Sequence, residues 1–238
     1  MQRCGVSQVG AALEAGEDIT LVLIDRETTN AAVEDLRQRA TAAGIEVIEG
    51  SSGDLWRMAR DTAAEPPHEI LALVGRDPKK HSTEALADGG LVWLLAGARY
   101  AQNIGYSIRT AEVSGADAII IDADVTGEER RTAVRASMRA NRFMPVEWAD
   151  SETALAAASA AGARVVAIED VGDTEPWQAD LTGPLLLVVG GERHGVPAAV
   201  LQAADSIIRI PMAGFVPSYN LQAPMAVVAV EALRQRRG

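Results

Sequence analysis

The sequence predicts an α/β protein built on a largely parallel sheet. Three observations carry that reading. Apolar runs of strand length alternate with stretches of helical periodicity along most of the chain. The rhythm breaks once, in the polar stretch Arg76–Gly90, and then restarts, which predicts a small N-terminal α/β unit over residues 1–88 and a larger α/β unit over 89–238. The 238 residues, 48% hydrophobic and 23% charged, are ample for real cores and exclude a disordered or fibrous chain.

The elements follow in order. Ile19–Ile24 is an apolar run of strand type. A helix is expected over Asn30–Ala43, with Val33, Leu36 and Ala40 at helical spacing and Gly44 as its stop. Ile45–Ile48 reads as a strand, Asp54–Ala63 as a helix and Ile70–Val74 as a strand, after which Arg76–Gly90 is expected to be a linker. Leu91–Leu95 reopens the pattern as a strand, and the helix Ile104–Ser114 ends at Gly115. Ala118–Ile121 is a strand, Glu128–Asn141 a helix, Val146 a short strand and Glu152–Ala161 an alanine-rich helix. Val165–Ile168, Leu185–Val189 and Ser206–Ile210 complete the strands. The last helix is expected to begin at Pro224, because proline suits the first helical position and costs a backbone bond a turn further in.

Composition removes several function classes. One cysteine, Cys4, excludes a disulfide framework and a thiolate metal cage. His68, His81 and His194 are scattered without metal-ligand spacing, so no metal is expected. There is no GxxxxGK[ST] phosphate loop, no HExxH, no GxSxG elbow and no GxGxxG opening a helix. No apolar run is long enough to span a bilayer and the N-terminus lacks a signal-peptide pattern, so a cytoplasmic protein is expected. The net charge of −11 argues against an indiscriminate polyanion binder but leaves a locally cationic surface open.

Three glycine-containing polar segments fall where strands meet loops. The first, Asn103-Ile104-Gly105-Tyr106-Ser107-Ile108-Arg109-Thr110-Ala111, puts Asn103 at a helix start as a cap and Arg109 about two turns in. The second runs from the strand Leu186–Val189 into Gly190-Gly191-Glu192-Arg193-His194-Gly195-Val196-Pro197. It reads equally as a tight turn and as bare backbone left open to a ligand at a sheet's carboxyl edge. The third, Ile210-Pro211-Met212-Ala213-Gly214-Phe215-Val216-Pro217-Ser218-Tyr219-Asn220-Leu221, leaves Ser218 and Asn220 in a loop, free for a site or for capping.

In this order and spacing, the three segments resemble the signature motifs of the SpoU/TrmH branch of the SPOUT methyltransferases, over about Leu91–Arg237. The resemblance implies a dimeric enzyme with a deep trefoil knot that methylates the ribose 2′-hydroxyl of transfer or ribosomal RNA with S-adenosylmethionine. It implies that Arg109 is the key catalytic residue, with Asn103, Glu192, Ser218 and Asn220 as the polar set around it. It also implies that the cofactor's adenine is held by backbone around Gly190, Ile210, Met212 and Tyr219. The chain departs from the family where Tyr219 stands for the usual Leu and Pro224 alters the entry to the last helix. The N-terminal unit resembles the ribosomal-protein-like domain that precedes the knot in many relatives. It carries nine cationic against sixteen acidic residues over 1–90, unfavourable for RNA.

Arg131, Arg135, Arg139 and Arg142, spaced by four, four and three, are expected along one helical face as a phosphate-tracking stripe beside the site, with Arg130 off it. The final helix, apolar nearly all round at Met225–Val230, fits a core or a subunit contact, and the resemblance favours a homodimer whose sites borrow from both subunits. Two other readings compete: a catalytically weak knot protein that serves as an RNA- or partner-binding module, and a methyltransferase with a non-RNA acceptor.

Overall fold

The computed structural model describes residues 1–59 and 67–237, which form two compact units, Met1–Pro78 and Lys79–Gly238. The first contains β1 (Gln2–Cys4), α1 (Gly5–Glu14), β2 (Ile19–Asp25), α2 (Ala31–Ala42), β3 (Glu46–Gly50), α3 (Ser52–Met58) and β4 (Ile70–Val74). Its sheet has the order β1-β4-β2-β3, with β4 antiparallel to both neighbours and β2 parallel to β3. The alternation along β2 explains the layering. Val22 and Ile24 pack with Val9 of α1 and Val33, Leu36 and Ala40 of α2 on one face, while Leu23 faces Leu55 of α3 across Gly50. Asn30 caps α2 by accepting the Ala32 N–H, and α3 starts in a capping box of Ser51 and Asp54. The opening strand and helix, β1 and α1, are too short and too polar at their starts to stand out in the apolar pattern. The helix expected over Asp54–Ala63 closes at Met58, and residues 60–63 of that expectation lie outside the described residues.

The second unit begins with α4 (Ser82–Ala87), within the stretch that reads as a linker. The local sequence hides its anchor, which is tertiary. The buried Ser82 donates its N–H and hydroxyl to the two oxygens of Glu147, at 2.6 and 2.7 Å. Ala85 and Leu86 then bury against the sheet. The unit continues as β5 (Leu91–Ala96), α5 (Ala101–Val113), β6 (Ala118–Asp122), α6 (Gly127–Ala136), β7 (Val146–Trp148), α7 (Ser151–Ala160), β8 (Arg164–Ile168), β9 (Leu185–Gly190), α8 (Ala198–Ala203), β10 (Ser206–Ile208) and α9 (Gln222–Arg237).

All six strands of this unit are parallel, in the order β10-β8-β9-β5-β6-β7. Both faces are covered, as a parallel sheet requires, so β5 is buried at every residue. Leu91, Trp93 and Leu95 pack with α5 and α9 on one side. Val92, Leu94 and Ala96 pack with α4, α7 and α8 on the other. Carboxylates tie loops to strand ends: Asp117 accepts the Leu91 N–H and Asp205 the Val165 N–H, both at 2.8 Å.

Three local expectations are corrected. Asn103 is not the cap of α5, because the helix opens at Ala101 and Asn103 lies in its first turn. The last helix opens at Gln222, so Pro224 is its third residue, where the backbone N–H has no helical partner to lose. And α6 stops at Ala136, five residues before the expected Asn141. The Ser137 hydroxyl there donates to the Val134 carbonyl, and Met138 and Arg139 take φ of 53° and 75°, which turns the chain back toward β7. Arg131 and Arg135 are therefore on the helix, Arg139 is in the left-handed turn and Arg142 in a following 3-10 turn, so the four do not form a single helical face.

Helices α5 and α6 approach closely at Gly105, where a β-carbon would sit 2.4 Å from the Ala133 carbonyl oxygen and 2.5 Å from Ala136 Cβ. Gly105→Ala should therefore push the helices apart and destabilise the second unit by about 1–3 kcal/mol. Urea unfolding followed by the fluorescence of buried Trp93 should show a lowered midpoint.

Candidate functional site

Strand order places the site. From β5 the chain moves outward on one side through β6 and β7, whereas β9 lies on the other side of β5. The carboxyl ends of β5 and β9 thus mark a switch point, where open α/β sheets form a crevice. The two loops touch backbone to backbone. A β-carbon on Gly191 would fall 1.9 Å from the Gly97 carbonyl oxygen, and one on Gly190 would fall 2.0 Å from the Gly195 carbonyl carbon. Only glycine permits either approach.

That closeness fixes Glu192. Its Oε2 accepts the Arg99 N–H at 3.0 Å, and its Oε1 accepts the Asn103 side-chain amide at 2.7 Å. Asn103 Oδ1 in turn faces the Asn220 amide at 3.5 Å, and Asn220 Oδ1 accepts the Gln222 N–H at 3.3 Å, capping α9. One polar chain therefore joins the loop after β5, the loop after β9 and the loop before α9. Both oxygens of Glu192 are engaged, so its role in this arrangement is that of a brace.

A second brace lies across the crevice. Glu169, directly after β8, accepts the Val196 N–H at 2.7 Å through Oε2 and the Asp170 N–H at 3.2 Å through Oε1. It holds the far end of the loop that Glu192 holds at its start. The third loop closes on itself, since the Tyr219 hydroxyl donates to the Pro211 carbonyl at 3.1 Å.

Between these loops is a cavity of about 570 Å³. Asn103, Glu192, Ser218 and Asn220 line it, as do Gly190, Ile210, Met212 and Tyr219. Arg109 does not. It is exposed on α5, six residues and about 9 Å along the axis from Asn103. It has no hydrogen-bond or ion-pair partner among the described residues, and it shares a face with Tyr106 and Val113. Arg131, Arg135, Arg139 and Arg142 also lie outside the cavity lining. Arg130 instead stacks over Trp148, 4.6 Å from the ring centroid. Glu129, in the first turn of α6, is committed to that helix's start. Its carboxylate is the Thr126 capping partner, held below its ordinary pKa first by the Thr126 backbone N–H and then by the Thr126 hydroxyl.

Sequence reasoning passed over Glu169, Asp170, Tyr100 and Arg193, all of which line the cavity. The signal for Glu169 was present: a carboxylate directly following the apolar run Val165–Ile168, at the edge where parallel strands present ligand sites. The lining suits a mid-sized cofactor that carries positive charge. Ile168, Val189, Ile210 and Leu221 give apolar wall, bare glycine backbone allows close approach, and Glu169 and Asp170 supply negative charge. Among the described residues, no group of three His, Cys, Asp or Glu is placed to hold a metal ion.

Residues 90–230 match the model of the SpoU rRNA Methylase family. A 23S rRNA (guanosine-2′-O-)-methyltransferase from Xanthomonas axonopodis is 26% identical over 98% of this chain and 96% of its own length. One from Photobacterium profundum is 30% identical over 74% of this chain and 75% of its own. Among solved structures, an AdoMet-bound rRNA methyltransferase from Sinorhizobium meliloti superposes with a TM-score of 0.58 at 26% identity, over 98% of this chain and 86% of that one.

The glycine contact makes a direct prediction. Gly191→Ala must displace the Gly97 carbonyl, and the Gly97 and Ala98 amides that now donate to the Asp122 carbonyl should lose protection. Hydrogen-exchange mass spectrometry should show peptides spanning Ala96–Tyr100 exchanging faster, with peptides of the first unit unchanged.

Proposed function

The chain belongs to the SpoU rRNA methylase family, and we propose that it transfers a methyl group from S-adenosylmethionine to a ribose 2′-hydroxyl of ribosomal or transfer RNA. The observation that carries this reading is the convergence of the three motif segments, through Asn103, Glu192 and Asn220, on one cavity at the switch point of a parallel sheet. The deep trefoil knot is part of the proposal, supported by the packing of the loops after β9 and β10 around that cavity. A cytoplasmic location goes with such a substrate, and no helix among the described residues is long and apolar enough to cross a membrane.

When bound, the cofactor supplies an electrophilic sulfonium methyl. Gly190, Ile210, Met212 and Tyr219 would hold it against the loop backbone, where their segments already wall the cavity. Ser218 and Asn220, on the same loop, orient the ribose. Glu192 keeps Asn103 and the Arg99 backbone in register, which fixes the direction of approach. Ser218, Asn220 and the Asn103–Glu192 pair would hold the 2′-hydroxyl oxygen in line with that methyl, the thioether left after transfer would be the leaving group, and the hydroxyl proton would pass to solvent water. The Arg109 guanidinium, a planar fork of donors, acts by gripping a substrate phosphate and stabilising the developing negative charge on oxygen.

Arg109 lies outside the cavity of its own chain, and the face that carries it supports assembly into a homodimer. Val113 on α5 is 66% exposed and Val230 on α9 is 64% exposed, with Val227 and Tyr106 also open to solvent. Helices α5 and α9 pack against each other, so each of the two neighbouring helices exposes apolar side chains. A twofold contact there would bring Arg109 from one subunit toward the site of the other. RNA phosphates would be met by Arg131, Arg135, Arg139 and Arg142, at and beyond the end of α6, on a chain whose net charge is otherwise −11.

The decisive experiment follows labelled methyl from S-adenosylmethionine into unmodified ribosomal and transfer RNA pools. Incorporation is expected in one pool, and Arg109→Ala and Arg109→Lys should each lower its rate by about 10²-fold or more. Cofactor affinity, measured by calorimetry, should change less than about threefold. Near-normal rates in Arg109→Lys would sink the role given to the guanidinium, and no transfer to either pool would favour a non-RNA acceptor or a binding module. For the assembly, Val230→Glu should convert a sedimenting dimer into a folded monomer that binds cofactor but has lost most of its activity.

A further inference from the structure

The loop from Pro211 to Tyr219 walls the cavity with Met212, Pro217 and Ser218, while residues 213–216 at its tip are outside the lining. Phe215 is fully exposed and Val216 is 74% exposed. The bond from the Tyr219 hydroxyl to the Pro211 carbonyl closes the base of the loop, and prolines at 211 and 217 restrict both its limbs. Phe215 is therefore displayed at the tip of a closed loop and not tucked into the cavity beneath it. A ring held wholly in water buries no area in its own chain and leaves both of its faces open to another surface.

We propose that Phe215 is a stacking platform for a nucleobase of the RNA beside the ribose that is methylated. The inference rests on the RNA-methyltransferase reading above. A nucleotide whose 2′-hydroxyl is to be held in line has three parts to restrain. The phosphate falls to arginine and the ribose to Ser218 and Asn220, which leaves the base without a partner among the residues assigned so far. A planar aromatic side chain meets the π-face of any base without reading its hydrogen-bonding edge, as single-stranded RNA recognition commonly requires. Phe215 is on the same loop as Ser218, three residues away, so a base seated on it stays continuous with the reacting ribose. A second copy of the chain is the lesser claimant, because the apolar surface suited to it lies on α5 and α9 and not on this loop.

The test compares Phe215→Ala, Phe215→Leu and Phe215→Trp in the methyl-transfer assay with the RNA pool that the wild-type dimer modifies. Cofactor affinity by calorimetry and mass by sedimentation are measured alongside. Losing a stacked base should lower kcat/KM for RNA by about 5- to 150-fold in both the Ala and Leu variants. Cofactor affinity and mass should stay unchanged, and Trp should restore the rate to within about threefold. A Leu variant as active as wild type would show that bulk suffices and would overturn stacking. A change in mass would assign Phe215 to a subunit contact, and a parallel loss of cofactor affinity would assign it to loop support. Either result overturns the proposal. If the wild-type protein transfers methyl to no RNA, the functional reading fails first and this inference fails with it. If the wild type transfers and all three variants match it, only the inference fails.

Discussion

The site depends on one steric constraint, the passage of the Gly191 backbone across the Gly97 carbonyl. Adjacent parallel strands stand about 4.8 Å apart, and loops leaving their ends usually splay to make room for side chains. Here β5 and β9 are such neighbours, and their loops remain in contact because Gly191 has no side chain, while Gly190 lets the second loop fold back on its own Gly195. From that contact follows the reach of Glu192 to both the Arg99 N–H and Asn103, and from Asn103 the reach to Asn220. A bulkier residue at 191 would move the carboxylate and with it every polar group that shares its bonds.

The strands and the layer pattern were legible in the sequence because burial on both faces of a parallel sheet writes itself as apolar runs. The strands β5 and β9 were found within a residue or so of their observed ends for that reason. What stayed hidden was decided by contacts remote in sequence. Helix α4 was read as a linker because its anchor is Glu147, sixty-five residues on. The end of α6 was missed because two non-glycine residues adopt left-handed conformations that no local rule favours. The gathering of Asn103, Glu192 and Asn220 was suggested by motif resemblance, but the braces that hold it were not. Glu169 bonds a backbone N–H twenty-seven residues away, and a lone carboxylate after a strand does not announce its partner.

The acidity of the chain and the cationic needs of an RNA substrate are reconciled by distribution more than by amount. Much of the chain's arginine is committed to structure: Arg164 donates to the carbonyls of Asp180 and Thr182, Arg3 forks onto Glu17, and Arg37 pairs with Glu49. Arg109 has no such partner among the described residues and is exposed on α5 beside Tyr106 and Val113. A guanidinium not committed to a carboxylate retains its capacity for a phosphate.

The polar chain that closes the cavity draws on residues 103, 192 and 220, and the helix that follows packs against α5. During synthesis the first two strands of the sheet's centre are thus present long before the wall they require. A product that stops short of Pro211 keeps β5, β9 and their glycine contact but has neither the third loop nor the helix that seals the core over Ile108. Such a fragment cannot enclose a ligand. The cavity therefore forms only once the loop before α9 has joined the two glycine-locked loops that precede it in sequence.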